Sequence, residues 1–368
     1  MARRVRRAPT VKTFECQCGA RVFFDNSRCL ACSRELGFAL RQKTMLALEA
    51  GDAGRFETRL GTFRKCGNYA TEGVCNWLVP ADSEHELCEA CRLNNVVPDL
   101  SVPENRTLWA EMEKAKRRLV FTLSALGLPL VPKSEDAERG LAFDIKAETP
   151  GDRVLTGHAE GLITLNLKEA DAPTRERIRA DMHERYRTLL GHFRHETGHY
   201  FWERLIRDRE DFAAFRALFG DETRDYSESI AAHYARQAGA PRDDAFISDY
   251  ASAHPWEDWA ETFAHYLHLV DTLETAQDFG LVARLAPRPP APVLDDFDAL
   301  FDAWTELTIA LNALNRSMGL PDAYPFAISP RVREKLAFVH QTVRSAARPA
   351  NEPGARPRPM VASSSVEQ

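Results

Sequence analysis

Nowhere in the 368 residues do eighteen apolar residues run together, so no membrane-spanning helix is expected. The nearest stretch, Leu119–Val131, is shorter and is broken by Gly127 and Pro129. The basic start MARRVRRAPTVKTF lacks the apolar region of an export signal, which predicts a cytoplasmic protein. Positive charge is also short overall. Lys and Arg number 48 against 54 Asp and Glu, for a net charge of -6, which argues against a general nucleic-acid binder but not against one basic patch. No cysteine follows Cys91, and no repeat is visible beyond two cysteine segments.

All eight cysteines lie between Cys16 and Cys91. A chain of this length can bury a core without covalent staples. In the absence of an export signal, metal binding is then the better reading than disulfides. The first cluster is Cys16-x-Cys18 followed by Cys29-x-x-Cys32. Two such pairs complete a tetrahedral zinc site, and a segment this short needs the metal to fold. The second cluster is Cys66, Cys75, Cys88 and Cys91, of which only the last pair has knuckle spacing. The clusters form one or two structural zinc sites, and an exchange of ligands between them stays open at this stage.

The segments divide the chain. Residues 1–12 read as a disordered basic tail, 13–38 as a zinc ribbon, 39–62 as a helical linker rich in Ala and Leu, and 63–100 as a second four-cysteine module. Pro98 and Pro103 mark a boundary. A domain then spans 101–347, and 348–368 reads as a disordered Pro/Arg/Ser-rich tail. Leu108, Met112, Ala115, Leu119 and Leu123 recur at helical spacing, with Asn105 or Thr107 as cap. Residues 162–167 alternate as a strand with one buried face. Asp171 and Pro173 open a helix, and helical patterns continue to Ala347, interrupted by Pro287–Pro292.

The sharpest signal is His195-Glu196-Thr197-Gly198-His199. On a helix the two histidines lie one turn apart and can chelate one ion, with Glu196 beside them to take a proton from water. A catalytic zinc needs a third protein ligand and an open position. Downstream, Pro255 starts a helix on which Glu257 and Glu261 share a face. One carboxylate can bind zinc and the other can hold the ring N–H of a ligating histidine. Glu228 is a competing third ligand. His192, His265 and His268 read as core histidines or as supports for a ligand.

A strand, then an HExxH helix, then a glutamate-bearing helix resembles the gluzincin metallopeptidases, in which a strand edge lies antiparallel to the bound peptide. The resemblance implies Glu257 as ligand, Glu261 behind the histidine, Tyr250 (seven residues before Glu257) as an oxyanion donor, and the 162–167 strand as the substrate's support. The whole chain resembles bacterial zinc-binding metallopeptidases with an N-terminal zinc ribbon. FECQCGARVFFDNSRCLAC, CNWLVPA, CRLNNVVPDL, AKRRLVFTLSALGLPL, the HETGHYFW helix, HPWEDWAETFAHYLH and LNRSMGLPDAYPF carry it. The fold implied is α+β, mainly α-helical: a zincin-like metallopeptidase domain with a small β edge sheet, preceded by two small zinc-ribbon or knuckle modules. The function implied is zinc-dependent hydrolysis of a peptide or protein substrate, with one catalytic and one or two structural Zn²⁺ and no membrane. The rival readings are a zinc-ribbon module contacting nucleic acid or protein on a non-catalytic scaffold, and a zinc-holding regulator without turnover. An intact Glu196 favours the enzyme, because a scaffold has no use for a base beside its zinc histidines.

Overall fold

The computed structural model describes residues 12–149, 151–181, 188–209, 212–235, 243–281 and 296–347. The 1–11 and 348–368 tails and the Pro287–Pro292 loop lie outside them.

The first part is built from hairpins. Strands β1 (Thr13–Glu15) and β2 (Arg21–Phe23) pair antiparallel, and Cys16 and Cys18 occupy their turn. Strands β3 (Leu36–Ala39) and β4 (Thr44–Ala47) form a second hairpin. A four-stranded antiparallel sheet follows from β5 (Glu49–Ala50), β6 (Arg55–Thr58), β7 (Gly61–Lys65) and β8 (Leu78–Pro80), with the short helix α1 (Gly67–Ala70) between the last two.

The expected helical linker over 39–62 is therefore wrong; this stretch is strand and turn. Its Ala/Leu richness has another cause. β3 and β4 are covered on both faces, so no period of two survives in the pattern. Leu36, Phe38 and Met45 join the main core, whereas Ala39, Leu46 and Leu48 pack with Phe63 and Leu78 in a smaller one. The β6–β7 turn depends on Gly61, whose φ of 117° no helix contains.

The second part is a parallel-sheet unit under helices. Strand β9 (Asn94–Val96) leads into helix α2 (Pro103–Ala125), which crosses over to β10 (Ala142–Lys146), parallel to β9. Strands β11 (Gly157–Ala159) and β12 (Leu162–Asn166) complete the sheet in the order β11-β12-β10-β9. Helices α3 (Ala172–Asp181), α4 (Leu189–Leu205), α5 (Phe212–Phe219), α6 (Tyr226–Ala235), α7 (Pro255–Asp278), α8 (Phe297–Ser317) and α9 (Pro330–Ala347) follow. Helix α2 starts earlier than expected. Val102 is its N-cap residue and Pro103 opens it, with φ already suited to a first turn, so neither Asn105 nor Thr107 caps it.

The sheet corrects one further expectation. Strand β12 is paired with β10 along its full length and with β11 on the other side. Its backbone is not an edge, and the outer strand beside α4 is β11.

The two parts share one core. Phe24 and Phe38 meet Phe121 of α2 edge-on at 5.4 and 5.8 Å. Arg118 pairs with Asp25, and Arg117 donates to the Val74 carbonyl at 2.5 Å. Lys12, expected in the disordered tail, is buried. Its amide donates to Asp278 at 2.5 Å and its ammonium pairs with Asp271, which also accepts from Arg194 of α4 at 2.5 Å. Among the described residues no helix is long and apolar enough to cross a membrane.

Candidate metal centre

Helices α4 and α7 bring the HExxH motif to the acidic pair. Helix α4 is capped by Thr188, whose hydroxyl accepts from the Gly191 amide at 3.0 Å. Helix α7 starts at Pro255 as expected. The two helices touch where Gly198 meets Ala260. A Cβ on Gly198 would stand 2.9 Å from the Ala260 Cα and 3.1 Å from its carbonyl oxygen, so a side chain here would force the helices apart. Trp259 fastens the crossing by donating from Nε1 to the Gly198 carbonyl at 2.9 Å. Buried between them, His195, His199 and Glu257 place one donor atom each within 4.8 Å of one another.

The orientation of each donor follows from what holds its other end. His195 Nδ1 hydrogen-bonds Glu261 Oε1 at 2.8 Å, leaving Nε2 aimed at Glu257. Glu261 also accepts from the Ser248 hydroxyl at 2.6 Å. Glu257 Oε2 lies 3.0 Å from His195 Nε2 and 3.5 Å from His199 Nε2. This oxygen is buried and accepts no hydrogen bond. A buried carboxylate oxygen facing two imidazole nitrogens is what a divalent cation fills. The electrostatics agree. Burial works against charge on His195, but Glu257 and Glu261 outweigh it and hold the imidazole well above its usual range in the metal-free state. Burial likewise opposes ionisation of Glu261, yet His195 brings it down to about 2. The site thus collects positive charge, and a metal ion would replace the proton there.

The surroundings hold residues the sequence did not flag. Tyr226, at the start of α6, donates its hydroxyl to Glu257 Oε1 at 2.8 Å. His254 caps α7, accepting from the Trp256 amide at 3.1 Å, and contacts the Arg224 carbonyl through Nε2 at 3.1 Å. The Trp256 ring lies 4.1 Å from that of His199. His158 of β11 stacks near His199, with ring centroids 6.3 Å apart, and accepts from the Gly161 amide at 2.9 Å. Burial, with His199 nearby, pulls His158 down to about 3, so it stays neutral at working pH. Tyr250 is half-buried beside the centre, its ring 5.9 Å from that of His195. Glu228 is exposed on α6 and is not part of the group. His192 pairs with buried Glu169, and His265 with the Tyr324 hydroxyl at 2.6 Å. His268 is held neutral by burial, down to about 3.

The cysteines form two further groups, Cys16/Cys18/Cys29/Cys32 and Cys66/Cys75/Cys88/Cys91, with no ligand exchanged between them. Sulfur–sulfur distances are 3.7 Å for Cys16–Cys32 and Cys18–Cys29 and 3.8 Å for Cys75–Cys88. Four sulfurs about 2.3 Å from one tetrahedral zinc would be about 3.8 Å apart. Both groups already have the spacing of zinc sites.

Residues 105–342 match the family described as "putative zinc-binding metallo-peptidase", and residues 13–102 match a zinc-ribbon domain. The chain belongs to that metallo-peptidase family. It is 43% identical over 338 residues to an uncharacterized protein of Mycobacterium bovis, covering 90% of this chain and 95% of the relative. An uncharacterized protein of Mycobacterium tuberculosis strain H37Rv matches to the same extent. No solved structure matches the chain. Zinc binding by this family member is supported by the three donor groups together.

The two glutamates of α7 should behave differently on removal. Glu257→Ala takes away a donor atom and should abolish zinc binding between the histidines. Glu261→Ala leaves all three donors and should weaken binding by about 10- to 100-fold. Competition with a chromophoric chelator measures both, and the reverse ranking would exchange their roles.

Proposed function

We propose that the protein is a zinc-dependent metallopeptidase of gluzincin type, in which His195, His199 and Glu257 hold the catalytic ion and Glu196 is the general base. The observation that carries this reading is the buried Glu257 Oε2 within 3.5 Å of both HExxH imidazoles, with Glu196 on the same helix as them. The zincin-like fold belongs to the same reading: a sheet edge, the α4 motif helix and the α7 glutamate helix occur in that order.

Zinc, when bound, lowers the pKa of water toward about 7 and polarises the scissile carbonyl. Glu196 accepts the proton from the attacking water and carries it to the leaving amine. Tyr250 donates its hydroxyl to the oxyanion in this reading, which its ring beside His195 supports; its own ionisation is pushed far up by burial, so it remains a donor at any working pH. The substrate lies extended against β11, where Gly157 and Ala159 present little side chain. Among the described residues no strand covers the outer edge of β11. His158 and Trp256 flank the His199 imidazole.

Elemental analysis tests the reading. Wild type should carry three zinc ions per chain. His195→Ala/His199→Ala should carry two and lose hydrolysis of unstructured polypeptide. Equal zinc in both proteins would remove the centre from consideration.

A further inference from the structure

We propose that Tyr226 is a positioning residue that keeps Glu257 a one-oxygen ligand and thereby keeps a coordination position open. The inference rests on the metal-site reading above and deepens it. The carboxylate of Glu257 has two oxygens with different surroundings. Oε2 faces His195 and His199 and has no hydrogen bond. Oε1 receives the Tyr226 hydroxyl at 2.8 Å. A carboxylate free to turn can give both oxygens to a metal, which fills the position that water or a carbonyl must take. A phenol that donates to one oxygen opposes that turn.

The phenol is itself held. Tyr226 starts α6, where Asp225 accepts the Glu228 amide at 2.7 Å. Two residues earlier, the Arg224 carbonyl meets His254 Nε2 at 3.1 Å, and the same imidazole caps α7 through the Trp256 amide. His254 therefore ties the segment before Tyr226 to the first turn of the helix that carries Glu257. The Tyr226 ring packs edge-on against His254 and Trp256, with centroids 5.4 and 5.9 Å away. The ring is held by these aromatic contacts, whereas the hydroxyl meets Glu257 and Tyr250, so removing the oxygen alone should leave the ring in place.

The test uses the full chain with zinc left in the cysteine groups and Co²⁺ placed in the histidine–glutamate group. Absence of thiolate-to-cobalt absorption confirms selective loading. Four-coordinate Co²⁺ absorbs strongly in its d–d bands, and higher coordination weakens them. Tyr226→Phe should weaken those bands and lower zinc affinity by about 10- to 100-fold, with unchanged melting temperature. Tyr250→Phe removes a hydrogen-bond partner of the Tyr226 hydroxyl but leaves its donation to Glu257, so it should lower turnover and keep the four-coordinate cobalt bands, separating a positioning role from an oxyanion role. Tyr226→Phe with wild-type affinity and spectrum would overturn the inference and leave the metal centre standing. A wild-type chain that takes up no cobalt would overturn both.

Discussion

Glu196→Gln should keep its full complement of zinc and its melting temperature while losing peptide hydrolysis. Two carboxylates, Glu257 and Glu261, meet the histidines, and both are engaged. Glu257 receives Tyr226, and Glu261 receives His195 and Ser248. Among the described residues no side chain hydrogen-bonds the Glu196 carboxylate, although only 7% of the residue is exposed. On the proposed reading, a carboxylate next to His195 on α4 and without a side-chain hydrogen bond is available as a base. The amide replacement matches it in size and cannot take a proton. Loss of general-base catalysis typically costs about 100- to 10,000-fold in rate, so kcat/KM should fall by at least that range. Zinc stoichiometry measured on the same sample decides what any loss means. A variant as fast as wild type would end the role of Glu196 as base. A variant that has lost zinc would make Glu196 a ligand and displace Glu257.

The parts of the centre legible in the sequence are those set by helical periodicity. His195 and His199, and Glu257 and Glu261, are each four apart, so each pair defines one face before any tertiary contact is known. Gly198 belongs to the same pattern, but its purpose does not: only the crossing with Ala260 shows why a side chain is excluded. Tyr226 and Ser248 reach the centre from segments 31 and 13 residues before their partners, at separations that no local rule encodes. His254 was hidden for another reason. N-caps are read from Ser, Thr, Asp and Asn, and an imidazole accepting the amide falls outside that list. The 162–167 strand shows the limit of alternation. Its half-buried pattern was right, yet alternation reports faces and not neighbours, so the edge passed to β11 unseen. In the ribbon, Phe14 and Phe24 are buried against Phe38, and only Phe23 is exposed enough to offer a stacking face. The first ribbon's aromatics thus serve the shared core, which weakens the rival reading of a nucleic-acid platform.

Cys75→Ser/Cys91→Ser should have the largest effect on stability. Cys66, Cys75, Cys88 and Cys91 are all buried, and backbone amides already point at two of them. The Trp77 amide donates to Cys75 Sγ at 3.4 Å and the Cys88 amide to Cys66 Sγ at 3.3 Å. Burial pushes the Cys88 thiol well up in the absence of metal, so this group favours its neutral form until a cation claims it. Arg117 lies beside them. Burial opposes its charge, but Cys75, Glu113 and Cys91 raise it, as suits the counter-ion of an anionic four-thiolate zinc. The same arginine fastens Val74 to α2, so the module and the crossover helix share one support. Trp77, next but one to Cys75, completes the Phe24–Phe38–Phe121 stack. Zinc in such sites supplies about 10–16 kcal/mol of apparent folding energy, comparable with the about 5–15 kcal/mol net stability of a whole domain. Losing it should therefore melt the first part of the chain and strip the apolar cover from α2, where Phe121 is buried. Zinc per chain and a thermal melt followed by circular dichroism provide the check. A double variant that holds wild-type zinc and melts with wild type would show that the cysteines are ordinary core thiols, and the stability would have to be sought in the aromatic stack alone.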